Sequence, residues 1–325
     1  MKKILLTSLL HKDVMDILYE NAEVYIANDP NPHNYMDKMK EADGAILLLG
    51  KVDKEIIENC PKLKVLSNVS VGYDLVDVDT ATKHGIPVCI SIGANARAVA
   101  EHTLGLILAV DRQIVTWHNE AVNGIFEYKT GTYNNFELLN KKIGIIGLGN
   151  IGKNVAKICK GIGMEILGYD PYISREEVEK NDWVYYENYE DILKVADVVS
   201  VHVPLVPETT DMITMKHIKT MKKSAILINC ARGGIVNEND LADALNEGII
   251  AGAGVDVYEN EPPNADAKIL HAKNIVCSPH SASITKEAVM NMMQMCVKGC
   301  LTVLNGEKWP YVANPEVYEG EVWKK

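Results

Sequence analysis

The segment Gly147-Leu148-Gly149-Asn150-Ile151-Gly152 leaves an apolar run and enters a helical stretch, and an acidic residue, Asp170, closes the next apolar run. The chemistry this order suits is dinucleotide binding. A turn without side chains lets the backbone approach a pyrophosphate, and the N-terminus of the helix that follows stabilises its charge. A carboxylate at Asp170 accepts hydrogen bonds from the adenosine ribose and repels the additional phosphate of NADP, so the pattern predicts NAD as cofactor. A glycine fingerprint alone is a weak signal, because such turns also serve packing, and an aspartate before Pro171 also initiates turns. Here strand, turn, helix, second strand and acid occur in order within KKIGIIGLGNIGKNVAKICKGIGMEILGYD.

These residues need elements to hold them. The first hundred residues alternate apolar runs at 4–6, 24–27, 45–49, 65–67 and 87–90 with helical stretches such as 14–19 and 79–84, a rhythm of parallel β-α units. Gly85 suits a helix C-terminal cap, and Pro87 a strand start. From 96 to about 123 the pattern is helical, with Ala100, Leu104, Leu106, Ile107 and Val110 giving a broad apolar surface, read as a connecting or interface helix. A second series has strands at 143–146, 166–169, 198–202, 225–228, 252–255 and 275–277, six in all, enough for a complete doubly wound dinucleotide domain. The amphipathic stretch 286–304 then carries the chain back to the first domain. The expectation is an α/β protein of two doubly wound parallel-sheet domains: a discontinuous substrate domain, 1–99 plus 290–325, and an inserted dinucleotide domain, 100–289.

Composition narrows the class. At 325 residues, 47% hydrophobic and 24% charged, the chain has the balance of an ordinary soluble globular protein. A net charge of -11 without a long basic run argues against nucleic acid and anionic membranes as partners. The opening MKKILLTSLL reads as a first buried strand rather than a signal peptide, and no apolar run approaches the roughly 20 residues of a membrane span. The seven cysteines form no C-x-x-C pair, which favours reduced thiols and a cytoplasmic location. No zinc-ligand spacing appears, so no metal is expected, and Cys296 and Cys300, on one helix face, read as packing.

Further blocks carry a resemblance. INCARGGIVNENDLADALNEG, GAGVDVYENEPP and SPHSAS, with VSVGYDLVDVD, NARAVAEHT and VHVPLVPETT, together resemble the D-isomer-specific 2-hydroxyacid dehydrogenase family over nearly the whole chain. The resemblance implies a flavodoxin-like catalytic domain with an inserted Rossmann NAD-binding domain, a homodimer, and catalytic positions at Arg232, Glu261 and His280. Reduction of a 2-oxo acid pushes negative charge onto the carbonyl oxygen, so the site needs a proton donor and a cationic orienter. Arg232 can grip the substrate carboxylate and polarise the carbonyl through a planar fork. His280 can donate the proton, and Glu261 can accept from the other ring nitrogen, favouring the protonated ring and fixing its orientation. Each also has a plain structural alternative: a salt bridge for Arg232, a solvated acidic loop beside Glu259 for Glu261, a turn after Pro279 for His280.

The resemblance also implies that backbone around Val71 and Gly72 holds the substrate carboxylate. It puts Asn150 and Ile151 beside pyrophosphate, Val203 and Pro204 beside adenosine, Cys230 and Ala231 near nicotinamide, and Asp256 on the nicotinamide amide. His102 reads as a packed or partly solvated helix residue and stays outside the catalytic set, and Cys230 is not read as a nucleophile, since hydride transfer needs none. A cleft between the two domains would close on substrate and exclude water. The substrates expected are small 2-oxo and 2-hydroxy acids, glyoxylate or hydroxypyruvate first. The alternatives are D-3-phosphoglycerate dehydrogenase, against which stand Asn68 where that family commonly offers arginine and no regulatory domain following, and a NAD-sensing corepressor, against which stands the lack of a long disordered extension.

Overall fold

The computed structural model describes residues 1–48, 50–126 and 135–324. The chain divides into two compact units, Met1–Asn95 with Thr285–Lys325, and Ala96–Ile284. The sequence reading puts these divisions at 99/100 and 289/290.

In the first unit, β1 (Lys2–Leu6), β2 (Ala22–Ile26), β3 (Gly44–Leu47), β4 (Val65–Asn68) and β5 (Val88–Cys89) form a parallel sheet in the order β2-β1-β3-β4-β5. That is the flavodoxin-like doubly wound order. Strands β3 and β4 are buried at every residue, as a parallel sheet covered on both faces requires. The run expected at 45–49 ends as a strand at Leu47, and Leu49 lies outside the described residues. The helix Lys286–Leu304 is capped by Thr285 Oγ1, which accepts from the Ala288 amide at 3.1 Å. It buries Met292, Cys296, Val297 and Cys300 in one cluster with Ile4, Leu6, Ile46 and Val65, so the two cysteines serve packing. The chain after it runs along β5: Ile90 donates to Tyr311 O and Ala313 to Val88 O, and the buried Asn314 side chain accepts from the Val88 amide. A tail that pairs with the last strand removes an exposed edge.

The second unit has β6 (Lys142–Ile146), β7 (Glu165–Tyr169), β8 (Val184–Tyr185), β9 (Val198–Val201), β10 (Ile226–Asn229), β11 (Gly252–Val255) and β12 (Ile275–Cys277), all parallel, in the order β12-β11-β10-β9-β6-β7-β8. This is the Rossmann order extended by a strand, and its direction reverses between β6 and β9, where such sheets bind ligands at their carboxyl ends. The sequence reading has six strands here; the seventh, β8, is a two-residue edge strand, too short to show a period.

The helical stretch 96–123 is two helices, Ala96–Asp111 and Ile114–Val122, separated at Gln113, whose φ of 50° lies in the left-handed region. No glycine or proline marks that break. The face read as an interface is spent inside its own unit: Ala100, Leu106, Ile107 and Val110 are buried with Ile143, Ile145, Val155 and Ile228. By contrast, Ile114–Val122 buries none of its residues. Among the described residues no helix is long and apolar enough to cross a membrane, and no cluster of three or more His, Cys, Asp or Glu suits a metal.

Candidate active site

The glycine turn follows β6 directly. Gly147 has φ 96°, and a Cβ there would lie 2.5 Å from His202 O, so only glycine lets the turn press against the end of β9. A Cβ on Gly152 would lie 2.0 Å from Gly147 O, so this glycine lets the helix Asn150–Gly161 pack tightly onto its own turn. Gly149 differs: a Cβ there would meet nothing within 4 Å. It is also the N-cap of the helix and provides no side-chain cap, so open space faces unsatisfied amides and a positive helix end. Asp170 Oδ2 accepts from the Leu148 amide at 2.8 Å and Oδ1 from the Tyr172 amide at 2.9 Å. The carboxylate thus both ties β7 to the turn and shapes the bend at Pro171, with lone pairs left for a ribose. Asn150 is exposed and Ile151 half-buried on the first helical turn. These features fit NAD: the 149–151 backbone would face its pyrophosphate and Asp170 its ribose.

The other expected residues stand at the same carboxyl edge of the sheet. Val203 and Pro204 follow β9, Cys230 and Ala231 follow β10, Asp256 follows β11, and His280 lies just beyond β12. Burial pushes the Cys230 thiol up to about 12, leaving it a neutral packing group. Next to it, Arg232 is half-buried; its Nη1 donates to Ala231 O at 2.7 Å, and its own carbonyl accepts from Asn229 Nδ2 at 2.8 Å. Gly233 explains how the Arg232 loop reaches its neighbours. A Cβ there would lie 1.9 Å from Tyr258 C and 2.3 Å from the Glu259 amide nitrogen, so the loop lies flat on the segment leading to Glu261.

Glu261 and His280 meet directly, with Oε2 2.6 Å from Nδ1. Glu261 Oε1 also accepts from the Tyr258 amide at 3.0 Å, which orients the carboxylate. With Nδ1 engaged, the opposite ring nitrogen, Nε2, is the end of the imidazole available to a reacting oxygen; the His280 side chain is 44% exposed. The pair lines a cavity of about 400 Å³ with Tyr258, Pro262, Leu270 and Cys277. Negative charge gathers behind it: burial first, then Glu259 and Glu261, push the Glu238 carboxyl above its ordinary range.

His280 has φ 50°, a conformation costing roughly 1–2 kcal/mol for a residue with a Cβ. Asp256 holds it there. The Asp256 carbonyl accepts from the His280 amide at 2.8 Å, Oδ1 from Ser281 N at 2.9 Å and Ser278 Oγ at 2.6 Å, and Oδ2 from Ala282 N at 2.9 Å. Asp256 is fully buried, so its observed work is to pin the His280 loop, and any bond to a nicotinamide amide would be added to these. His102 joins the same network: Nε2 is 2.9 Å from Ser278 Oγ and 3.6 Å from Asp256 Oδ1, closer to the site than a solvated helix histidine would be. Sequence reasoning missed Ser278, Tyr258 and Gly233. Ser278 was signalled by its place two residues before His280 in SPHSAS; the tertiary contacts of Gly233 leave no sequence signal.

In the first unit, the loop after β4 holds Val71 and Gly72, both half-buried. The Gly72 carbonyl accepts from Asn68 Nδ2 and from Ser70 Oγ, the latter at 2.7 Å.

Residues 104–282 match the D-isomer specific 2-hydroxyacid dehydrogenase, NAD binding domain. The chain is 39% identical over 315 residues to D-3-phosphoglycerate dehydrogenase of Methanocaldococcus jannaschii, covering 97% of this chain and 60% of that longer protein. It is 37% identical over 326 residues to glyoxylate reductase of Thermococcus litoralis, covering 97% of each. The NAD-complexed D-isomer specific 2-hydroxyacid dehydrogenase of Lactobacillus delbrueckii ssp. bulgaricus superposes with a TM-score of 0.82 at 27% identity, over 96% of this chain and all of that one. A glycine turn that fits NAD, an acid at the ribose-reading strand end, and these matches lead to one conclusion: the chain belongs to the D-isomer specific 2-hydroxyacid dehydrogenase family of NAD-dependent oxidoreductases.

Proposed function

We propose that the protein reversibly reduces a small 2-oxo acid with NADH to the D-2-hydroxy acid, with glyoxylate or hydroxypyruvate as the favoured substrates. The observation that carries this reading is the 2.6 Å His280–Glu261 pair at the carboxyl edge of the sheet that also bears the glycine turn. Bound NADH supplies the hydride. In this reading Arg232 binds the substrate carboxylate and draws charge toward the carbonyl oxygen, and the Val71 and Gly72 amides of the first unit also hold the carboxylate. His280 gives a proton from Nε2 to that oxygen in reduction and takes it back in oxidation. Glu261 fixes the ring through Nδ1, and Asp256 fixes the loop that carries it. Asn150, Ile151, Asp170, Val203, Pro204, Cys230, Ala231 and Asp256 are assigned to the cofactor, with the discontinuous unit taking the substrate.

The choice among substrates rests on the first unit's loop. No lysine or arginine lies between Lys64 and Lys83, while Asp74, Asp77 and Asp79 do. A phosphorylated tail would find no cation there, which favours a small uncharged one over 3-phosphoglycerate chemistry. A homodimer belongs to the same proposal, supported by exposed Ile114, Val115 and Val122 on a helix with no buried residue, and is read by sedimentation. A panel of 2-oxo acids followed by NADH oxidation and repeated with NADPH tests the whole reading. Fast turnover of small acids with NADH supports it; tight NADH binding without turnover across the panel, or a preference for a phosphorylated acid, refutes it.

A further inference from the structure

The loop that follows β4 has an unusual distribution of hydrogen bonds. Ser70 O accepts from the Ser91 amide and Tyr73 O from the Val76 amide, and the Gly72 carbonyl takes two side-chain donors, Asn68 Nδ2 and Ser70 Oγ. Three successive donors are unspent: among the described residues nothing accepts from the amides of Val71, Gly72 or Tyr73. Asn68 is well placed to hold this arrangement. It is the last residue of β4, only 8% exposed, and its Oδ1 lies 3.5 Å from the Ser70 amide, which decides that Nδ2 faces Gly72.

A peptide unit is planar and trans, so the N–H of Tyr73 points away from the Gly72 oxygen. Holding that oxygen toward Asn68 and Ser70 therefore aims the Tyr73 amide to the opposite side. A flip of the Gly72–Tyr73 peptide would break both bonds and turn a carbonyl oxygen outward instead. Such a flip would put a carbonyl oxygen, an acceptor that repels an anion, where a donor had stood.

We propose that Asn68, assisted by Ser70, is a positioning residue that fixes the Gly72–Tyr73 peptide so that the Tyr73 amide joins those of Val71 and Gly72 in holding the substrate carboxylate. This rests on the reading above that the loop takes the carboxylate. It makes Tyr73, through its backbone, an additional donor, and it gives Asn68 a role in which its side chain never meets the substrate.

Asn68→Asp keeps the shape and the acceptor for Ser70 but replaces the donor with a carboxylate oxygen facing Gly72 O. The KM for the best 2-oxo acid should rise about tenfold or more, with kcat and the NADH Kd staying within about twofold. Ser70→Ala, in an exposed position, should raise KM about threefold by the same route. The methyl ester of the same acid, which lacks the anion, should lose little with either variant. Gly72→Pro deletes a loop amide independently of the clamp. If it raises KM while Asn68→Asp and Ser70→Ala do not, the positioning role is wrong and the loop reading stands. If Gly72→Pro also leaves KM unchanged, the loop reading itself fails. Should Asn68→Asp not fold, Ser70→Ala decides: an unchanged KM overturns the proposal.

Discussion

Two glycines of one turn, three residues apart, should respond in opposite ways to the same added methyl. At Gly152 the new Cβ would sit 2.0 Å from Gly147 O and 3.0 Å from Gly147 C, both backbone atoms that cannot swing aside. An ordinary contact needs more than about 3 Å, so helix and turn must separate by about 1 Å, an overpacking strain of roughly 1–3 kcal/mol. For a domain of this size that lowers Tm by roughly 2–12 °C. At Gly149 the φ and ψ of -70° and -162° suit any residue, and the methyl would meet nothing within 4 Å. Gly149→Ala should therefore keep or slightly raise Tm, by the few tenths to about 1 kcal/mol gained from a less flexible unfolded chain. The same methyl would occupy the space through which the backbone meets pyrophosphate, so the NADH Kd should rise at least about tenfold, a loss of about 1.4 kcal/mol. Differential scanning fluorimetry with and without NADH, together with a fluorescence titration of NADH, reads both quantities. A Gly149→Ala protein that binds NADH within twofold of wild type, or that loses as much Tm as Gly152→Ala, would show that the open space in front of the helix is not where the cofactor sits.

Other perturbations bear on the chemistry and on the electrostatics of the fold. Arg232→Lys keeps the charge but loses the fork, so kcat/KM for the 2-oxo acid should fall about 10–100-fold while the NADH Kd holds; equal losses in both would assign Arg232 to the cofactor instead. Glu261→Gln keeps the shape but only one acceptor oxygen, enough for the Tyr258 amide or for Nδ1 of His280 but not both, and removes the charge behind the ring, so kcat should drop about tenfold or more; a steady-state assay showing less than threefold would deny Glu261 its role. Asp111 is a further case: its Oδ2 is buried without a partner, and burial raises its carboxyl above the ordinary range. A raised folded pKa means that the stabilising form is the protonated one, present at low pH and lost as pH rises through the folded value. Asp111→Asn, which still accepts from the Phe136 amide, should therefore gain about 1 kcal/mol at pH 7 and little near pH 4, read as the difference in Tm between the two proteins.

Much of this protein is legible in its residues because parallel strands buried on both faces appear as short continuous apolar runs. The runs at 143–146, 166–169 and 252–255 fall on β6, β7 and β11, and the stretch 286–304 on the helix Lys286–Leu304. The losses have physical reasons. β8 pairs only through two residues at a sheet edge, and the break at Gln113 depends on a left-handed backbone that no glycine announces. At the site, residue identity indicates the chemistry, and the partners that set geometry are tertiary. Nothing near Glu261 in sequence says that its carboxylate meets a ring nineteen positions away, nor that Asp256 holds the left-handed His280 by its carbonyl and the next two residues, Ser281 and Ala282, by its carboxylate oxygens. His102 gives no sequence sign of its place in this network either, since its partner Ser278 is distant along the chain.

Whether the His280–Glu261 pair delivers the proton that accompanies hydride transfer is decided by a single-turnover experiment. NADH bound to wild type and to His280→Gln is mixed with a saturating concentration of the best 2-oxo acid, and the loss of nicotinamide absorbance is followed in a stopped-flow instrument. If the pair delivers the proton, oxidation is slowed at least about 100-fold in the variant, with the NADH Kd unchanged. Equal rates in the two proteins, with the same acid and intact cofactor binding, would contradict it.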